Sequence, residues 1–130
     1  MDFLAADELE SVFEQMVQER VDGLVVDHTP IATQIQERVS HLVARHRLPA
    51  IADGVAYSEG GFLLSYSVDM IELMRKAAGY VDKILKGAKP AELPVELASK
   101  FNLIVNLRTA KTLGIKLPQA ILLAAHLIIE

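Results

Sequence analysis

YVDKILKGAKPAELPVELASKFNLIVNLRTAKTLGIKLP, residues 80–118, is the stretch whose reading decides the fold. Val81, Ile84 and Leu85 recur at helical spacing and stop at Gly87, the residue type that closes helices in the left-handed conformation. Pro90 and Pro94 break the loop that follows, because proline cannot continue a helix. Phe101 to Val105 is a short apolar run of strand length. Asn106 stands where a helix wants its cap, Gly114 stops that helix, and Pro118 opens the last one.

The same grammar extends upstream. Leu9, Val12, Phe13, Met16 and Val17 place a helix over Asp7 to Arg20, with Asp7 and Glu10 as a capping pair. Val21 to Val26 and Leu48 to Ala52 read as short strands of the buried, parallel kind. Between them, Pro30 opens a helix striped by Ile31, Ile35, Val39, Leu42 and Val43 and running to about His46. A loop holding Gly54, Tyr57, Gly60 and Gly61 leads into a strand over Phe62 to Tyr66. Asp69 and Glu72 form a capping box for the long helix that ends at Gly87.

This order of elements predicts an α/β fold: three layers, a mostly parallel sheet of about four strands, and helices on both faces. With 130 residues, the chain reads as one domain. The only linker candidate, Gly87 to Pro94, is too short to separate two.

Tyr80 to Gly87, Ala91-Glu92-Leu93-Pro94-Val95, Asn106-Leu107, Ala110-Lys111 and Leu113-Gly114-Ile115 together resemble the carboxy-terminal portion of ABC transporter substrate-binding proteins. Glu14 to Val26, Arg45 to Ile51, and Gly61 with Ser65-Tyr66 and Asp69 are similar to the same family. The chain departs from the family's pattern at Ser67, where a glycine is usual, and at Ala52. The resemblance implies one lobe of a type I periplasmic binding protein, less than half of the complete protein. It also implies a non-enzymatic role: binding a small organic solute, such as an amino acid or aromatic compound, for an ABC permease. The full-length family is exported or lipid-anchored outside the cytoplasmic membrane, whereas the acidic start MDFLAADELE lacks the layout of a secretory signal.

Composition narrows the alternatives. The absence of cysteine excludes disulfides, thiolate nucleophiles and cysteine metal sites. A net charge of -4 and scattered basic residues argue against nucleic acid as a partner. Mean hydropathy is +0.29, yet no apolar run reaches the roughly 18 residues that span a bilayer. The spacing of His28, His41, His46 and His126 does not suggest a shared metal. Ser65 lacks the glycine-flanked elbow of a hydrolase nucleophile, and no phosphate-cradling glycine loop or other cofactor motif is present.

In open parallel sheets, ligands sit at the carboxyl ends of strands. That rule selects Asp27, His28 and Thr29 after the first strand, Asp53, Gly54 and Tyr57 after the second, and Ser65 and Tyr66 at the third. Asp27 and Thr29 are equally suited to capping, Tyr57 to packing on the sheet edge, and Ser65 and Tyr66 to ordinary strand positions.

Gln119 to Glu130 reads as a last helix, apolar around most of its circumference. Such a surface must be covered. The expected cover is a second copy, giving a homodimer or higher oligomer through Ile121, Leu122, Ala125, Leu127 and Ile128, with Phe3 and Leu4 nearby. Two further readings stay open: a self-associating domain without ligand binding, and a small cytoplasmic α/β regulator or enzyme.

Overall fold

The computed structural model describes residues 8–27 and 29–130. Its elements are α1 (Leu9–Gln18), β1 (Leu24–Val26), α2 (Pro30–Gln34), α3 (Gln36–His46), β2 (Ala50–Ala52), α4 (Val55–Glu59) and β3 (Leu64–Val68). They continue with α5 (Met70–Leu85), a 3-10 turn (Pro90–Glu92), β4 (Phe101–Asn106), α6 (Leu107–Leu113), α7 (Gln119–Ala124) and β5 (Leu127–Ile129). The chain forms two compact units. Among the described residues, one comprises those up to Ser67 together with Leu103–Glu130, the other Val68–Asn102.

The sheet has five strands in the order β1-β2-β3-β4-β5. β1 and β2, β2 and β3, and β4 and β5 pair in parallel. The Asn106 amide donates to the Leu63 carbonyl at 3.0 Å, which sets the end of β4 beside the start of β3. β4 therefore runs against β3, and the carboxyl ends of β1, β2 and β3 share one edge of the sheet.

In the larger unit, the core is built where helical and strand periodicities meet. Leu9 and Phe13 from α1 pack with Val39, Leu42 and Val43 from α3, over Ala50 and Ala52 of β2. Phe13 also stacks on the His46 ring, with centroids 5.9 Å apart. Asn106 caps α6 by accepting from the Thr109 amide at 3.0 Å, and Gly114 ends it at φ +72°.

In the smaller unit, Asp69 caps α5 by accepting from the Glu72 amide at 3.1 Å. The Glu72 carboxylate does not complete the box. It accepts from the Ser99 hydroxyl at 3.2 Å, and the Asp69 amide donates to the Lys100 carbonyl at 2.9 Å. Hydrogen bonds from Glu72, Lys76 and Tyr80 hold the return segment, residues 94–99, on that side of α5.

Three expectations need correction. The helix expected from Pro30 to His46 is two helices, broken at Ile35, whose backbone leaves helical geometry at φ -103°, ψ 10°. The glycine-rich loop contains α4. The last helix stops at Ala124, and Leu127–Ile129 forms a fifth strand on β4, because the His126 amide donates to the Leu103 carbonyl at 2.7 Å and redirects the chain. Asp7, Phe3, Leu4 and His28 lie outside the described residues.

Candidate functional site

Parallel pairing aligns the ends of β1 and β2 with the middle of β3, which runs on to Val68 instead of ending at Tyr66 as expected. Val26 lies opposite Ala52, and Ala52 opposite Ser65. One residue further along each chain stand Asp27, Asp53 and Tyr66, so the register alone brings them level at one edge. The Asp53 amide donates to the Val26 carbonyl at 3.3 Å, extending that alignment past the strands. Asp27 is exposed, Asp53 half-buried and the Tyr66 ring half-exposed.

The neighbouring candidates position this ledge. Gly54 holds φ +131°, a conformation closed to side chains, and starts α4 directly after Asp53. The Ser65 hydroxyl, 0% exposed, donates to the Gly54 carbonyl at 2.8 Å and ties the turn after β2 to β3. Strand alternation explains the division of labour: Ser65 points inward and Tyr66 outward. Thr29 caps α2, its hydroxyl oxygen accepting from the Ala32 amide at 3.0 Å. That hydroxyl keeps its own proton to donate.

Tyr57 sits in the core, on α4 instead of on a loop. It is 2% exposed, packs edge-on to Phe62 with centroids 5.0 Å apart, and donates its hydroxyl to the Ala32 carbonyl at 3.0 Å. Burial pushes its pKa above the ordinary tyrosine value. Ile121, Leu122 and Ala125 are half-buried, while Leu127 and Ile128 of β5 remain exposed.

Beside the ledge runs a groove of about 380 Å³ that sequence reasoning missed. Leu9, Phe13, Met16, Leu24 and Ile31 line its apolar part, and Asp27 and Thr29 border it. Its one sequence signal is the breadth of the α1 stripe, which carries Val12 and Met16 beyond what the core consumes. Among the described residues, no group of three or more His, Asp or Glu is placed to hold a metal, and no helix is long and apolar enough to cross a membrane. The arrangement offers two carboxylates, a hydroxyl donor, an aromatic face and an apolar groove, which suits recognition of a small polar organic molecule.

Residues 3–129 match the family model for ABC transporter substrate binding protein. No curated protein sequence is similar to the chain. Among solved structures, it is similar to a conserved domain protein from Vibrio cholerae, with 25% identity and a TM-score of 0.82, covering 97% of this chain and 42% of that one. It is also similar to an ABC domain from Streptococcus pneumoniae in complex with L-Trp, with 28% identity and a TM-score of 0.82, covering 95% and 41%. The fold is shared with a ligand-free, open substrate-binding protein with adhesive properties from Clostridium difficile, at 22% identity and a TM-score of 0.72, covering 98% and 42%. The chain thus spans about two fifths of the length of these structures. With the family model matching nearly its whole length, the chain belongs to the ABC transporter substrate-binding protein family.

Proposed function

We propose that this chain provides a solute-binding surface of an ABC-type uptake system, and that its solute is an amino acid or a related aromatic compound. The observation that carries this reading is the ledge of Asp27, Asp53 and Tyr66, set level by the register of three parallel strands. Carboxylates accept strong charge-assisted bonds from an ammonium group. In this reading Asp27 and Asp53 take the ammonium, Thr29 donates to a carboxylate, and Tyr66 stacks on a flat side chain. Gly54 and Ser65 hold the turn that carries Asp53. The complex of the similar Streptococcus pneumoniae domain with L-Trp supports the solute class.

In the complete protein, solute would shift an equilibrium between open and closed arrangements, and the closed form would be presented to a permease. This chain supplies one part of such a site, so its affinity is expected to be weak. The chain contains no tryptophan. The emission of added L-tryptophan therefore reports its binding against a background of tyrosine alone. A saturable change, weakened about tenfold by Asp27→Ala, is the expected result. Aliphatic and charged amino acids, read by thermal shift, define the class. No saturable response to any of them at roughly 10 mM, a concentration that detects interactions of about 3 kcal/mol, would overturn the proposal.

A further inference from the structure

Two hydrogen bonds meet at Ala32. Its amide donates to the Thr29 hydroxyl oxygen at 3.0 Å, and its carbonyl accepts from the Tyr57 hydroxyl at 3.0 Å. Ala32 is the buried residue of α2, a helix of 5 residues. So short a helix does not hold itself in water. The break at Ile35 also interrupts its continuity with α3. α2 therefore stands where its tertiary contacts put it, and the Tyr57 hydroxyl supplies a buried one.

The backbone of Tyr57 is fastened to the neighbouring turn. Its amide donates to the Gly54 carbonyl at 3.3 Å, the same carbonyl that accepts from the Ser65 hydroxyl at 2.8 Å. A continuous chain of contacts thus runs from Thr29 after β1, through Ala32, Tyr57 and Gly54 after β2, to Ser65 on β3. Phe62, edge-on to the Tyr57 ring with centroids 5.0 Å apart, fixes the ring plane. A phenylalanine would fill the same space and bury no hydroxyl, whereas a buried hydroxyl costs desolvation unless its bond is made. What the hydroxyl adds to packing is a fixed separation between α2 and α4. Burial pushes its pKa up, so it stays protonated and keeps donating at neutral pH.

We propose that Tyr57 is a positioning residue of the solute site: acting through Ala32, it holds the Thr29 hydroxyl in place and so sets a preference for solutes that carry a carboxylate. Its role rests on the reading of the ledge as that site. Thr29 is exposed, and its oxygen is engaged as an acceptor by Ala32, which leaves its proton for an incoming carboxylate. With Ala32 pinned from the core side, the position of that hydroxyl is fixed. Asp27 and Asp53 do not depend on this bond, because they follow strands whose register β1 and β2 set between themselves. Loss of the Tyr57 hydroxyl therefore acts on the carboxylate end of the solute and spares the ammonium end.

The test uses the whole chain and compares L-tryptophan with tryptamine, which keeps the indole and the ammonium and lacks the carboxylate. Both are followed by their own emission. Tyr57→Phe should weaken L-tryptophan about fivefold and change tryptamine less than about twofold. Thr29→Ala should do the same, and Thr29→Ser should retain the preference. Tyr57→Phe combined with Thr29→Ala should lose no more than either alone, because both break one chain of contacts. Without solute, nuclear magnetic resonance should show exchange of the Ala32 amide quickened about fivefold in Tyr57→Phe, and that of Val39 in α3 less. Equal loss for the two probes, additive losses in the double variant, or unchanged Ala32 exchange would overturn the proposal and leave the ledge as a solute site. Binding of neither probe by the unaltered chain, alongside quickened Ala32 exchange, would instead remove the site itself, and the role of Tyr57 with it.

Discussion

The buried hydroxyl of Ser65 donates to the carbonyl of Gly54 at 2.8 Å, fastening the turn that carries Asp53 to the strand that carries Tyr66. Ser65→Ala removes this bond and leaves the Gly54 carbonyl without that donor. The expected cost is about 1 kcal/mol of stability by urea denaturation. Solute affinity should fall with it, because the two halves of the ledge lose their common anchor. Unchanged affinity in a destabilised variant would separate the turn from the site.

Tyr57 gives a test at alkaline pH. Its pKa is raised because the folded state resists burying a phenolate, so the associated stability is complete below the ordinary value of 10.0. It is lost as pH climbs from there through the folded value. Tyr57→Phe should cost about 1 kcal/mol at neutral pH through the lost bond to Ala32, and should flatten the decline above pH 10. Tyr80 is also raised, first by desolvation and then by Glu96, so part of the alkaline slope should survive in Tyr57→Phe and disappear in the double variant.

Asn106 serves two elements at once. Its amide nitrogen donates to the Ser58 carbonyl at 2.9 Å while its amide oxygen caps α6. Asn106→Ala should therefore cost about 2 kcal/mol, the sum of a cap and a buried bond. Asn106→Asp keeps the cap and loses the donor, so chemical denaturation should rank it between wild type and alanine.

At acid pH, the smaller unit should loosen through Asp69. The Glu72 amide, followed by the Lys100 ammonium at 3.0 Å, holds this carboxyl below the ordinary value of 3.8. A depressed pKa means that its contribution is present above that value and is lost as pH falls through the folded one. Far-ultraviolet ellipticity should report fraying of α5 in that window. Asp69→Asn, which keeps the cap but cannot titrate, should show a shallower acid transition.

Local chemistry made much of this fold legible. Thr29 with Pro30, Asp69, Asn106 and Gly114 each act within three or four residues, and each performs the role its residue type suggests. Failures lie where the deciding contact is distant. Nothing inside the run AILLAAHLII separates a helix from a strand, and Leu127–Ile129 becomes a strand only because β4 offers it an edge. Ile35 breaks a helix without a glycine or proline to announce it. The candidate site was legible as strand ends, because topology fixes where loops gather, but Tyr57 was drawn into the core by a short helix after Gly54. The apolar stripe of α5 was visible too. Its direction was not, because periodicity shows that a face exists and leaves open which side the chain itself covers.

The bond from the Asp69 amide to the Lys100 carbonyl, doubled by their ion pair, has an engineering consequence. It clasps the two stems of an excursion that leaves from the end of β3 and returns at the start of β4. Insertions or trimming beyond a clasped pair of stems change loop-closure entropy only slowly with length. The excursion can thus be shortened, extended or exchanged for a foreign segment while Val26, Ala52 and Ser65 stay in register. That makes it a natural graft point, where new specificity can be attached without recomposing the sheet.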